Sequence, residues 1–191
     1  MGKSEIEVEV LGKMFLEAAS EAIAQKSTTA PSSDPEVKVL DILEYDGRMR
    51  IVSMEQFNGP AYISVVNYFL SARDMEKHVN CCGALVVYVE SSMAEKLLKA
   101  LGHADANEEE EQTVLSACGQ VATVFAESFA NKLAGSGYQQ LTLAEPKNYK
   151  NAVNDGVEYS KDQVEKAEVS FSFWKQRALV MDVVIGAIPH T

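Results

Sequence analysis

The segment from Glu108 to Leu133 constrains the fold more than any other part of the chain. Read as one helix, it sets Val114, Cys118, Val121, Phe125 and Phe129 on a single face at spacings of three and four. That face has to be buried against other elements. At about 100° per residue, Ser116, Gln120, Thr123 and Glu127 align within about 60° of one another on the opposite side, forming a narrow stripe of hydrogen-bonding groups. The ordinary reading of such a stripe is a solvated face. The four acids Glu108 to Glu111 suit the positive end of the helix dipole, and Gly135 to Gly137 supply the stop.

The rest of the chain supplies the partners for this helix. Ile6 to Gln25 places Leu11, Phe15, Ala18, Ala22 and Ile23 on one side of a first helix, and Lys26 to Pro35 (KSTTAPSSDP) is an exposed loop. The period then changes. Val37, Val39 and Ile42 alternate with polar neighbours, and Asp46-Gly47 offers a tight turn before Met49 to Met54, a pattern that fits a hairpin. Ala61 to Leu70 reads as a strand, Ser71 to Asn80 is ambiguous, and Gly83 to Glu90 is a compact apolar strand. A helix follows, with Ser91 or Ser92 as its cap, Met93, Leu97, Leu98 and Leu101 on one side, and Gly102 as its terminator.

After the long helix, Gln139 to Leu143 is expected as a short strand closed by Pro146, and Asn154-Asp155-Gly156 marks a turn within the polar stretch Lys147 to Glu158. Val169 to Trp174 alternates cleanly, Lys175-Gln176-Arg177 offers a turn, and Ala178 to Ile188 is the longest apolar strand. This order of elements is that of an α+β fold, a mostly antiparallel sheet covered by a long central helix and other helices. With 191 residues, one domain spanning 1–191 is the expectation.

The formal charge of −11 argues against nucleic acid and against a basic lipid-binding patch. The opening MGKSEIEVEV lacks the pattern of an export signal, and no run of eighteen apolar residues occurs, so a cytoplasmic location is expected. Cys81, Cys82 and Cys118 match no zinc-ligand spacing and suit small core or half-exposed thiols. His78, His103 and His190 stand singly, so neither a metal site nor a catalytic dyad is visible.

From Leu115 to Pro146 the chain reads LSACGQVATVFAESFANKLAGSGYQQLTLAEP. This segment resembles the CheX branch of the CheC/CheX/FliY phosphatases of bacterial chemotaxis, which remove the phosphoryl group from the aspartate of phosphorylated CheY. In that family the helix carries Asp or Ser, three residues, Glu, two residues, Asn, and then Pro about 22 residues on. Ser116 and Pro146 hold the outer positions here, while Gln120 stands where the family has Glu and Thr123 where it has Asn. GALVVYVESSMAEKLLKALG resembles the preceding strand and helix, so the likeness covers residues 83 to 146. Ala117, Gly119 and Ala122 beside the stripe are small, which suggests close approach to another protein.

The resemblance implies a phosphorylated CheY-like receiver as partner and aspartyl-phosphate hydrolysis as the activity. It implies no cofactor in this chain, because the receiver brings its own Mg²⁺ and Lys. The phosphatase has only to place a water in line with phosphorus. In the family the Asn orients that water and the Glu pairs with the receiver's Lys. Gln120 and Thr123 are therefore the altered catalytic positions, and Ser116, Glu127 and Pro146 the accompanying binding positions. Gln120 loses a charge-assisted bond that is about twice as strong as a neutral one. The Thr123 hydroxyl is short and can turn back to its own helix. Gln120 holding the water itself, or Glu127 pairing with the Lys, are two compensations. The alternative is a family member that binds a receiver or another signalling protein without turnover. Dimers that join their sheets are common in the family. Ala178 to Ile188 is either such an edge or a central strand in a monomer.

Overall fold

The computed structural model describes residues 2–57, 59–150 and 153–191. In chain order the elements are β1 (Lys3–Ser4), α1 (Val8–Lys26), β2 (Glu36–Asp41), β3 (Glu44–Tyr45), β4 (Arg48–Val52), β5 (Ala61–Phe69), α2 (Ala72–Glu76) and β6 (Cys81–Glu90). They continue with α3 (Ala94–Ala100), α4 (Glu111–Gly135), β7 (Thr142–Leu143), β8 (Lys147–Lys150), β9 (Val153–Val157), β10 (Glu165–Phe173), β11 (Gln176–Ile185) and β12 (Ile188–Pro189).

The main sheet runs β2-β10-β11-β6-β5-β7, with β8 sharing with β7 the outer edge of β5. All described strand pairings are antiparallel, so the fold is α+β as expected. One face of this sheet is covered by α1 and α4, and the other by a smaller sheet of order β3-β4-β9. The alternation along β11 shows how one strand serves both layers. Leu179, Met181, Val183 and Ile185 enter the helix-side core, while Val180 and Val184 enter the core beneath the small sheet.

That double burial decides between the two readings of the final strand, in favour of the central one. β11 lies between β10 and β6, inside the sheet, and does not present an edge. A strand buried on both faces reads as one continuous apolar run, so its length in the sequence signalled a central position. The free edge on that side of the sheet is β2, which pairs with β10 only.

Charge enters this second face through a compact network. Asp182 is fully buried and accepts from Lys166 Nζ at 2.7 Å and from the Tyr88 hydroxyl at 3.1 Å. Beside it Glu168 accepts from Arg177 Nη2 at 2.8 Å, and Arg177 Nη1 donates to the Gln56 carbonyl at 2.6 Å.

Several local expectations shift. The Asp46-Gly47 turn forms, with φ of 52° and 72°, but its arms are β3 and β4, because β2 is taken into the main sheet by β10. Ser71 caps the short α2, in the stretch that was ambiguous, by accepting from Asp74 N. Neither Ser91 nor Ser92 caps the helix after β6. A 3-10 turn over Ser91–Met93 leads into it, capped by the Glu90 carboxylate, which accepts from Ser92 N at 3.2 Å, and α3 itself starts after Met93 with no side-chain cap. The last hairpin turns at Trp174-Lys175, both at positive φ, rather than over residues 175–177. Trp174 is held there by Phe173 and by Lys96, whose Nζ lies 4.1 Å from the ring centroid.

Asn154-Asp155-Gly156 lies inside β9 and is no turn, since pairing with β4 stretches the backbone that its composition would let bend. Asn151 and Ala152 of the same polar stretch lie outside the described residues. Among the described residues no helix is long and apolar enough to cross a membrane.

Candidate functional site

The rotation of α4 about its axis is set by its apolar face. Val114, Cys118, Val121, Phe125 and Phe129 are all buried, as their spacing requires. Phe129 meets Phe15 of α1 edge-on at a centroid distance of 5.2 Å and Tyr68 of β5 at 6.2 Å. The Tyr68 hydroxyl donates to the Ala126 carbonyl at 3.2 Å, tying the helix to the sheet. Burial pushes the Cys118 thiol up to about 12, so it is a neutral packing group.

With that face fixed, the stripe has to point outward. Ser116, Gln120 and Glu127 are exposed and Thr123 is half-buried. Gln120 Nε2 donates to Ser116 Oγ at 3.4 Å, a long contact that a stronger partner can displace. The Thr123 hydroxyl donates at 2.9 Å to the Gly119 carbonyl of its own helix, the back-bonded state open to a short hydroxyl. Glu127 carries no ion pair among the described residues, so its carboxylate is available to a cation brought by a partner.

Two features flank the stripe. On one side Ala22 of α1, Leu101, His103, Val121, Val124 and Phe125 line an open cleft of about 280 Å³. On the other lies β8, the strand after Pro146. The half-buried Pro146 sits between β7 and β8 on the edge of β5, where a residue without an N–H separates the two pairings. It is not on the helix. Its effect on the site is to aim β8 along α4.

β8 brings to α4 two side chains that residue order does not single out. Lys150 Nζ bonds Glu111 at the start of α4 at 2.7 Å and lies 5.5 Å from the Tyr62 ring centroid. The Glu111 hydrogen bond raises the lysine's pKa, and burial raises that of the Tyr62 phenol. Asn148 accepts at Oδ1 from the buried Ser64 hydroxyl at 2.7 Å and lays its amide against Gly119. No local signal marks Asn148. Its place follows from the register that sets it opposite Ser64, which only the sheet reveals.

The small residues also have a different role from the one expected of them. Ala117, Gly119 and Ala122 are buried within this chain rather than exposed to a partner. They are small because strands and helices of the same molecule press on α4 from the sides. A Cβ on Gly119 would lie 2.7 Å from Asn148 Nδ2, nearer than such atoms approach.

The stripe therefore presents an amide, a hydroxyl and a carboxylate, all able to bind a polar group of another protein. It contains no nucleophile paired with a base. Among the described residues no group of three or more His, Cys, Asp or Glu is placed to hold a metal ion.

No protein-family model matches the sequence, and no curated protein matches it. Solved structures place the architecture. It is similar in fold to solved CheX, CheC-like and FliY structures. The chain is similar to the chemotaxis protein CheX of Desulfovibrio desulfuricans, with a TM-score of 0.59 at 15% identity over 92% of this chain and 98% of that one. It is similar to the Borrelia burgdorferi CheX-CheY-BeF3-Mg²⁺ complex at a TM-score of 0.57, 15% identity, and 91% and 96% coverage. Thermotoga maritima FliY gives 0.55 at 15% identity, over 97% of this chain and 92% of that one. At these identities the likeness is one of fold.

Proposed function

We propose that this chain is a CheX-like protein of bacterial chemotaxis or two-component signalling. It docks the α4 stripe on a phosphorylated CheY-type receiver and promotes hydrolysis of the receiver's aspartyl phosphate. The observation that carries this reading is the exposure of Gln120 beside Ser116 on the long helix of a CheX-type fold. One structure of that fold is a CheX-CheY complex, which supports a receiver as the partner. In this reading the receiver supplies Mg²⁺ and Lys, and the stripe supplies docking groups. Glu127, one turn and more beyond Thr123, is the carboxylate that pairs with the receiver's cation in place of the Glu lost at position 120.

The test is phosphate release from CheY-type receivers of the same genome, charged with acetyl phosphate. Accelerated release that falls when Gln120 is replaced by Ala supports the proposal. No acceleration with any receiver removes the catalytic part. A second reading, binding without turnover, is favoured by the Thr123 hydroxyl, which is engaged by Gly119 and so not turned toward a substrate. Titration with receivers held in the activated state by beryllofluoride separates the two, since binding alone supports the second and absence of both opposes each.

We also propose a cytoplasmic homodimer joined through the free edge of β2, with Leu40 and Leu43 exposed on and just beyond that strand. Light scattering on the native chain and on a Val39→Pro variant tests it, with a monomeric native chain as the contrary result.

A further inference from the structure

We infer that Asn148, on the strand beside the helix, supplies the amide that holds the attacking water, the role that Thr123 on the helix cannot fill. This inference rests on the phosphatase reading above. Its basis is the way three residues converge on one point of α4. Gly119 lies three residues after Ser116 and four before Thr123, about 60° and about 40° from them around the axis, so it borders the stripe between their levels. From the helix side, the Thr123 hydroxyl is spent on the Gly119 carbonyl. From the strand side, the Asn148 amide fills the space that a side chain at 119 would take.

The orientation of that amide is fixed from behind. Ser64 is 1% exposed and donates to Asn148 Oδ1 at 2.7 Å, and the two residues are cross-strand partners in the β5–β8 pairing. With Oδ1 committed, Nδ2 carries two hydrogens and meets no acceptor among the described residues. It is also absent from the buried side-chain atoms left without a partner, and Asn148 is half-buried, so the group keeps contact with solvent at the flank of the stripe. An amide held rigidly by a buried hydroxyl, with free N–H groups beside an exposed docking face, suits the binding of a water or a phosphoryl oxygen.

In the step this serves, the water oxygen forms a bond to phosphorus as the bond from phosphorus to the aspartate carboxylate oxygen breaks. The carboxylate leaves with the electron pair of the broken bond. Both water protons end on the phosphate, giving the receiver's free aspartate and H₂PO₄⁻. Nδ2 donates throughout and neither gains nor loses a proton. Gly119 is required because any Cβ there would push the amide away.

The experiment measures two quantities on the full chain, the turnover number for phosphate release from a charged receiver and the Kd for the same receiver activated with beryllofluoride. The variants are Asn148→Asp, which keeps the size and the Ser64 contact but removes the N–H donors, Asn148→Ala, and Gly119→Ala, which displaces the amide. The expected result is a loss of turnover of about 100-fold in each, with Kd changed by no more than about 2-fold. Asn148→Asp keeps the proposal open to refutation if the other two fold poorly. Native turnover that persists in Asn148→Asp overturns this inference alone and leaves the phosphatase reading standing. A native chain that binds the activated receiver without accelerating release overturns both.

Discussion

Thr123 donates its hydroxyl to the carbonyl oxygen of Gly119 at 2.9 Å, so this side chain is turned along its own helix rather than outward. A hydroxyl already satisfied adds little to a partner. Replacing Thr123 by Val, which keeps the shape and removes the hydroxyl, is expected to change receiver binding and phosphate release by less than about 2-fold. Replacing it by Asn, which reaches past the helix backbone, is expected to raise phosphate release. A large loss in Thr123→Val would mean that the hydroxyl leaves Gly119 in the complex.

Gln120 is the exposed amide of the stripe, and among the described residues its side chain bonds only Ser116, at the long distance. Truncation to Ala removes a neutral hydrogen bond at the interface, worth about 0.5–1.5 kcal/mol, so Kd for an activated receiver should rise by about 2- to 10-fold. Gln120→Glu restores the charge and should tighten the complex beyond the native value, with an effect that shrinks as salt is added. Calorimetric titration at two salt concentrations reads both. Equal affinity in all three proteins would place the receiver elsewhere on the molecule.

Beneath the small sheet, Asp182 is sealed from solvent and paired with Lys166, whose side chain is 11% exposed. Removing one partner leaves the other charge buried alone. Asp182→Ala should therefore cost ~3–5 kcal/mol in urea unfolding. Replacing the pair together, Asp182→Leu with Lys166→Met, should cost far less, because no unpaired charge remains. A double variant as unstable as the single one would show that Asp182 stabilises the fold through the hydrogen bond it accepts from Tyr88 and not through charge balance.

The thiols should differ sharply in reactivity. Burial holds Cys118 and Cys82 at about 12, whereas Cys81 is half-buried and lies on the opposite side of its strand from Cys82. At pH 8 a disulfide reagent should modify Cys81 slowly and the other two only after unfolding. The same shifts make stability depend on pH. In the unfolded chain these thiols ionise near pH 9, while in the folded chain they ionise near 12, so the unfolded state loses protons first as pH rises. Their contribution is complete below about pH 9 and is lost between about 9 and 12. Urea midpoints that hold steady across that window in the native chain, relative to a Cys82→Ala, Cys118→Ala variant, would refute this.

Much of the long helix could be read from residue order, because the amphipathic spacing of Val114, Cys118, Val121, Phe125 and Phe129 leaves one way to bury them. The helix begins at Glu111 rather than Glu108 and ends at Gly135 rather than Leu133. The acids before Glu111 form turns, and nothing at the C-terminal end obliges the helix to stop before the glycine. The exposed positions of Ser116, Gln120 and Glu127 followed from the same periodicity. The hairpin at Asp46-Gly47 was legible because that turn depends on the φ preferences of two adjacent residues.

What residue order could not supply was the neighbourhood. Asn154-Asp155-Gly156 has the composition of a turn and became strand because β4 pairs with Val153, Asn154 and Val157 on either side of a register shift. The final apolar strand was central because Val180 and Val184 meet a second sheet that forms from distant segments. Ala117, Gly119 and Ala122 were covered from within, and Asn148 came to the stripe by a cross-strand register. The sequence by itself determined a long helix with one polar stripe and an α+β order of elements, since both rest on periodicities of a few residues. Only the tertiary structure decided what borders that stripe, because the contact between Asn148 and Gly119 depends on how β5, β8 and α4 pack together, and no local preference encodes it.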